Sequence, residues 1–181
     1  MYNSIFLKFF FFSLSIFCFL FQISGSAFGQ NLCLYNTHTH ETFKGDYKNA
    51  SGSLESKSME QIDYILRDHR TNEVHKIEVG LLEILSDLAK VLNPKDPSIV
   101  CFHIISGYRS PKTNAMLRKN STGVSKQSFH LQGKAVDIRV PGVSLAHVCN
   151  AAKSLKRGGV GCYKNQNFVH VDMGRIRSWG N

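Results

Sequence analysis

The chain is poor in acidic residues, with 13 Asp and Glu against 22 Lys and Arg, which gives a formal net charge of +9. Such a basic balance favours anionic partners. The sequence lacks a basic stripe with interleaved aromatic residues, so we expect no nucleic-acid partner. It also lacks internal repeats, and its 181 residues favour a single domain.

Long hydrophobic runs are scarce as well, and the run at residues 9–21 is short for a transmembrane helix. It follows Lys8 and precedes the small-residue segment Ala27-Phe28-Gly29. This pattern predicts a secretory signal peptide over residues 1–29, cleaved before Gln30, with an uncleaved anchor as the alternative. The mature domain would be residues 30–181, in the periplasm or cell envelope, with no stable membrane association after cleavage. Peptidoglycan and its associated polymers are the anionic partners of that compartment.

The cysteines follow no spacing typical of a zinc ribbon and lie in no motif that activates a thiolate. Four of them remain after the predicted cleavage: Cys33, Cys101, Cys149 and Cys162. Export and an even number are compatible with one or two disulfides. Four buried, unpaired thiols are an equally good interpretation of the sequence.

Helical and strand-like segments are mixed without regular βαβ alternation, which predicts an α+β fold. Predicted strands cover residues 32–35, 99–105, 134–140, 160–163 and 168–173, and predicted helices begin near residues 58, 81, 111 and 145. Ser58 and Gln61 resemble a capping box. Ser110 and Ser144 are predicted to cap the last two helices, and Gly158 to end the final one.

Two histidines and one aspartate form the most informative pattern. The segment Ser-Phe-His-Leu-Gln-Gly-Lys-Ala-Val-Asp-Ile contains His130 and Asp137, and Phe-Val-His-Val-Asp contains His170. Two imidazoles and one carboxylate leave the fourth position of a zinc ion open, as a catalytic zinc requires. We therefore predict one Zn²⁺ per chain and a metallohydrolase.

Strand periodicity supports the same grouping. In its predicted strand, Asp137 lies on the face away from the apolar side chains. In the last predicted strand, His170 and Asp172 lie on the face away from the two valines. If both apolar faces pack against helices, the three polar side chains share the open face. His130 would reach them from the loop that Gly133 allows to turn.

Several longer segments resemble the YcbK-like (DUF882) branch of the M15 peptidases over nearly the whole mature chain. They are Ser-Gly-Tyr-Arg-Ser at 106–110, Thr-Asn-Ala-Met-Leu-Arg at 113–118, the segment at 128–139, Gly-Gly-Val-Gly at 158–161 and Phe-Val-His-Val-Asp-Met-Gly at 168–174. The resemblance implies a hedgehog/DD-peptidase-like fold with a small central antiparallel sheet and flanking helices. It implies His130, Asp137 and His170 as zinc ligands and cleavage of peptidoglycan stem peptides, most simply by a murein endopeptidase.

One departure from the family concerns the general base. Other M15 peptidases place a Glu or His two or three residues before the last ligand, where this chain has Phe168 and Asn167. Asp172 is the nearest candidate, either as the base or as a hydrogen-bond partner of a ligand imidazole. Arg109 is a candidate to bind a substrate carboxylate or the developing oxyanion.

Ser128 is a candidate to bind substrate or to cap the loop before His130. His38 and His40 are not expected to bind metal. A non-catalytic, metal-stabilised peptidoglycan-binding protein and a DD/LD-carboxypeptidase are the alternative functions.

Overall fold

The computed structural model describes residues 30–121 and 123–180, so the predicted signal peptide lies outside the described residues. Four α-helices and seven strands make up this part. The helices are α1 (Ser56–Ile65), α2 (Val79–Leu92), α3 (Pro111–Asn120) and α4 (Leu145–Ser154). The strands are β1 (Asn31–Asn36), β2 (Thr42–Asp46), β3 (Cys101–Ser106), β4 (Ala135–Arg139), β5 (Gly159–Tyr163), β6 (Phe168–Asp172) and β7 (Arg177–Trp179). Within the described residues, no helix is long and apolar enough to span a membrane.

All seven strands form one sheet in the order β2-β1-β3-β4-β6-β5-β7. The β1–β3 and β5–β7 pairs are parallel, and the other four pairs are antiparallel. The prediction of a small antiparallel sheet is therefore not confirmed, because the sheet is both larger and mixed. The difference comes mainly from β2 and β7, two short edge strands without an apolar run of their own.

One face of the sheet carries the hydrophobic core. Leu81, Leu85 and Leu88 of α2 are fully buried there, as are Ile138 and Val169 of the central strands. Helix α4 packs against β5 and β6, and α1 packs against β1 and β2. The polar side chains of β4 and β6 consequently project from the opposite face.

The four cysteines within the described residues form two disulfides, Cys33–Cys101 and Cys149–Cys162. The first joins directly paired residues of β1 and β3, and the second joins α4 to β5. Each bond links elements that are separate in sequence, so both restrict the unfolded chain more than the folded one.

Candidate metal centre

The predicted ligands come from three structural elements: a 3₁₀ turn, β4 and β6. Asp137 on β4 and His170 on β6 are directly paired residues of the antiparallel ladder. His130 lies in a 3₁₀ turn, Phe129–Gln132, just before β4. Ser128 begins that turn by accepting a hydrogen bond from the His130 amide at 3.3 Å. Gly133 ends it at φ +64°, where a Cβ would lie 2.2 Å from the Lys76 carbonyl oxygen.

The three side chains direct one donor atom each to a common point. Asp137 Oδ1 lies 2.8 Å from His170 Nδ1 and 3.3 Å from His130 Nε2, and the two nitrogens lie 3.1 Å apart. Donor atoms about 2.0–2.1 Å from a tetrahedral zinc lie about 3.3 Å from one another. The observed separations are close to that value, so this donor set fits a divalent transition metal.

The second nitrogen of each ring fixes which nitrogen is free to bind metal. His130 Nδ1 lies 2.7 Å from the Gly107 carbonyl oxygen, which can only accept a hydrogen bond. His130 Nε2 therefore keeps its lone pair. His170 Nε2 lies 3.0 Å from Asp172 Oδ2 and donates there. His170 Nδ1 lies 2.8 Å from Asp137 Oδ1, and burial acts against ionisation of His170 but the two carboxylates outweigh it and raise its pKa, so a metal that binds Nδ1 would displace a proton from it.

Burial and neighbouring groups set the protonation of His130 and Asp137. Burial lowers the pKa of His130, which keeps its imidazole neutral. Burial acts to raise the pKa of Asp137, but the adjacent imidazoles of His130 and His170 outweigh it and hold that pKa well below its usual range. Asp137 is therefore an ionised carboxylate although it is only 3% exposed.

Arg109 contacts the other oxygen of the Asp137 carboxylate. Its Nη2 donates to Asp137 Oδ2, and its Nε donates to Ser106 Oγ at 2.8 Å. The guanidinium is mostly buried and lines the same cleft as the trio. It therefore orients the aspartate, while Nη1 has no hydrogen-bond partner among the described residues.

Asp172 is fully buried, and donors surround both of its oxygens. Oδ1 accepts from the amides of Gly159 and Gly174 and from Arg177 Nη1. Oδ2 accepts from His170 Nε2 and, at 2.6 Å, from Arg177 Nη2. Burial would raise its pKa, but the hydrogen bonds from His170, Arg177 and Gly174 hold the pKa well below its usual range.

Sequence reasoning missed Arg177. It lies in β7, five residues after Asp172, and reaches back because the chain reverses between β6 and β7. Its guanidinium lies 4.8 Å from the Trp179 ring centre. No spacing rule links these residues, since their contact depends on the parallel β5–β7 pair.

The trio lies in an open cleft of about 630 Å³. One wall is aromatic: Tyr163 stacks on Phe168 with ring centres 4.5 Å apart and accepts a hydrogen bond from Trp179 Nε1 at 2.9 Å. Ser128 also lines the cleft, so its capping bond does not remove it from reach of a substrate.

His38 and His40 are not part of the trio. His38 lines the cleft but stacks on His69 and bonds the Ile105 carbonyl oxygen at 3.0 Å. His40 Nδ1 lies 2.7 Å from the Tyr35 hydroxyl. Within the described residues, the one cluster of three or more His, Cys, Asp or Glu side chains with metal-binding geometry is the trio.

Comparison with known proteins supplies the family. The profile of the M15 peptidase family described as "Peptidoglycan L,D-endopeptidase MepK" matches residues 25–179. A probable peptidoglycan L,D-endopeptidase MepK of Haemophilus influenzae is 41% identical over 148 residues, covering 82% of this chain and 77% of that protein. The peptidoglycan L,D-endopeptidase MepK of Escherichia coli K12 is 38% identical, covering 82% and 79% of the two chains. The chain therefore belongs to the MepK family of M15 peptidases.

Proposed function

We propose that this protein is an exported, zinc-dependent murein endopeptidase that hydrolyses stem-peptide cross-links of peptidoglycan. The observation that carries the proposal is the donor set of His130 Nε2, Asp137 Oδ1 and His170 Nδ1, which lies in an open cleft of a chain from a peptidase family. Two histidines and a carboxylate leave one position open for substrate or water, as in catalytic zinc sites.

A bound zinc would lower the pKa of a coordinated water and polarise the scissile carbonyl. The protein must hold its three ligands in the correct protonation state and orientation. The Gly107 carbonyl does this for His130, Asp172 for His170, and Arg109 for Asp137. Metal-binding sites depend on such partners, and their loss typically lowers metal affinity about 10–100-fold.

Between the two roles considered for Asp172, the geometry favours positioning of His170. Five donors occupy its two oxygens, and a carboxylate with a strongly lowered pKa is a poor proton acceptor. Arg109 has two of its nitrogens engaged, but Nη1 is available to donate to a substrate carbonyl from within the cleft.

Export is supported by the residue 1–29 pattern and by the two disulfides. Disulfides form and persist in oxidising compartments such as the bacterial periplasm. Both join elements of the described fold. Amino-terminal sequencing of the secreted protein should begin at Gln30, whereas a mature protein that retains residues 9–21 would contradict cleavage.

The substrate is inferred from the relatives' function and from the charge of the protein. The Escherichia coli relative is named a peptidoglycan L,D-endopeptidase and the Haemophilus influenzae relative a probable one, and the net charge of +9 suits an anionic polymer. Digestion of purified sacculi by substoichiometric zinc-loaded protein should release new muropeptides and reduce cross-linked dimers.

Three other outcomes of that digestion would contradict the proposal. Co-sedimentation with sacculi without new fragments would indicate a binding protein. Loss of terminal residues with intact cross-links would indicate a carboxypeptidase. Equal release by the His170→Ala variant would remove the trio from the chemistry.

A further inference from the structure

The cleft is lined by arginines with different electrostatic environments. Arg109 is paired with Asp137, and Arg177 is paired with Asp172. Arg70 and Arg139 also line the cleft, and neither has an acidic partner among the residues that the structure describes. The cleft therefore has an excess of positive charge before any metal is bound.

Arg139 is held in place without being neutralised. Its Nε donates to the Asn167 carbonyl, and its Nη2 donates to the Gln166 carbonyl at 2.8 Å. Both acceptors are uncharged, so the guanidinium keeps its full charge while its orientation is restricted. A restricted guanidinium loses less conformational entropy when it binds an anion than a free one does. Arg70 has no comparable side-chain hydrogen bond within the described ranges.

The position of Arg139 relates it directly to the metal centre. It follows Asp137 by two residues on β4 and therefore lies on the same face of the sheet, about 6.5–7 Å along the strand. One residue of an extended peptide spans about 3.3–3.4 Å. A group on a residue next to the scissile bond is consequently within reach of this side chain.

We propose that Arg139 binds a carboxylate on one of the two residues joined by the scissile amide, and so selects cross-linked stem peptides that carry a free acid there. This inference rests on the proposed endopeptidase function. A guanidinium recognises a carboxylate by charge-assisted hydrogen bonds, which a neutral carboxamide cannot reproduce.

The test uses two synthetic cross-linked stem peptides that differ only in that carboxylate, which one of them carries as a carboxamide. Zinc-loaded mature protein should hydrolyse the acid with a kcat/KM about tenfold or more above that of the amide, as one charge-assisted hydrogen bond allows. In Arg139→Gln the two values should become equal. Arg70→Gln is the matched control and should retain the full preference.

A purely structural role gives a different result. If Arg139 only anchors the Gln166–Asn167 turn, Arg139→Gln slows both peptides by the same factor and the preference survives, which overturns the proposal. A wild-type protein without preference, or loss of preference in Arg70→Gln alone, overturns it as well. If Arg139→Gln does not fold, as judged by circular dichroism, Arg139→Lys replaces it and should retain only part of the preference.

Binding separates this inference from the proposed function. Calorimetric titration of both peptides into chelator-treated wild-type protein requires no hydrolysis, and the acid should bind about tenfold more tightly than the amide. Absence of hydrolysis together with this preference would reject the endopeptidase and retain the carboxylate site. Equal affinities would reject the site.

Discussion

Replacement of Asp172 by Asn tests how the proposed metal ligand His170 is held. The change keeps the size of the side chain but removes its charge, and with it the charge-assisted hydrogen bond to His170 Nε2. Loss of such a partner lowers metal affinity by about 10–100-fold, or about 1.4–2.8 kcal/mol. We expect zinc affinity to fall by this factor and turnover at saturating zinc to fall by less than about tenfold.

The assay measures zinc affinity by chelator competition and turnover at saturating zinc, each for wild type and variant. Arg177→Gln is the matched control, because it removes the other ionic partner of Asp172 and leaves the hydrogen bond to His170. Its zinc affinity should remain close to that of wild type. Unchanged zinc affinity in Asp172→Asn, with turnover reduced by about 10² or more, would instead identify Asp172 as the general base and refute the positioning role.

Three further predictions concern the ligand environment and the stability of the fold. Arg109→Lys should lower kcat/KM at least about tenfold, because an ammonium cannot reproduce the guanidinium's simultaneous contacts with Asp137 and Ser106. Wild-type rates in this variant would show that these contacts are dispensable. Removal of the Cys33–Cys101 disulfide, whose cysteines are 68 residues apart, should lower the free energy of unfolding by about 4 kcal/mol in denaturant titrations. A change below about 1 kcal/mol would contradict the pairing. Burial opposes ionisation of Asp68, but hydrogen bonds from Thr113 and Ser110 outweigh it and lower its pKa to about 2. Its ionised form therefore stabilises the fold above about pH 4, and this contribution is lost as pH falls through about 2. Asp68→Asn should cost on the order of 2 kcal/mol at pH 7, with the difference shrinking between pH 4 and 2, and a cost independent of pH would contradict this.

Local signals in the sequence predicted much of the secondary structure. Ser110 and Ser144 cap α3 and α4 as expected, accepting hydrogen bonds from the Thr113 and His147 amides. A cap involves residues only three positions apart, so the sequence contains the whole interaction. The same rule failed at Ser58, because α1 begins at Ser56 after Glu55, without a side-chain cap.

Features that depend on distant contacts were not predictable. Gly158 was expected to end α4, but the helix ends at Ser154. Gly158 has φ +69° and lies against β6, where a Cβ would be 1.7 Å from the Asp172 carbonyl oxygen. Edge strands β2 and β7 form because a neighbouring strand offers free hydrogen-bonding groups, and their own residues carry little strand signal.

The candidate site also has features that the sequence predicts and features that depend on distant contacts. Ligand chemistry and strand alternation pointed to His130, Asp137 and His170, and the fold brings these three together. The groups around the predicted ligands could not be derived, since the Gly107 carbonyl reaches His130, and Arg177 reaches Asp172, only through tertiary structure. Asp172 was predicted as the general base or a partner of a ligand imidazole, and Arg109 as a binder of substrate or oxyanion, and these roles stay predictions. Their contacts with His170 and Asp137 required the sheet register.

Zinc titration of turnover tests the central claim most directly. Protein stripped of metal is assayed on a purified cross-linked muropeptide dimer while zinc is added in fractions of one equivalent. The proposed centre predicts that turnover rises from baseline in proportion to zinc and reaches its plateau at one zinc per chain. Turnover that persists after metal removal, or that does not change when zinc is added, would contradict a zinc peptidase built on His130, Asp137 and His170.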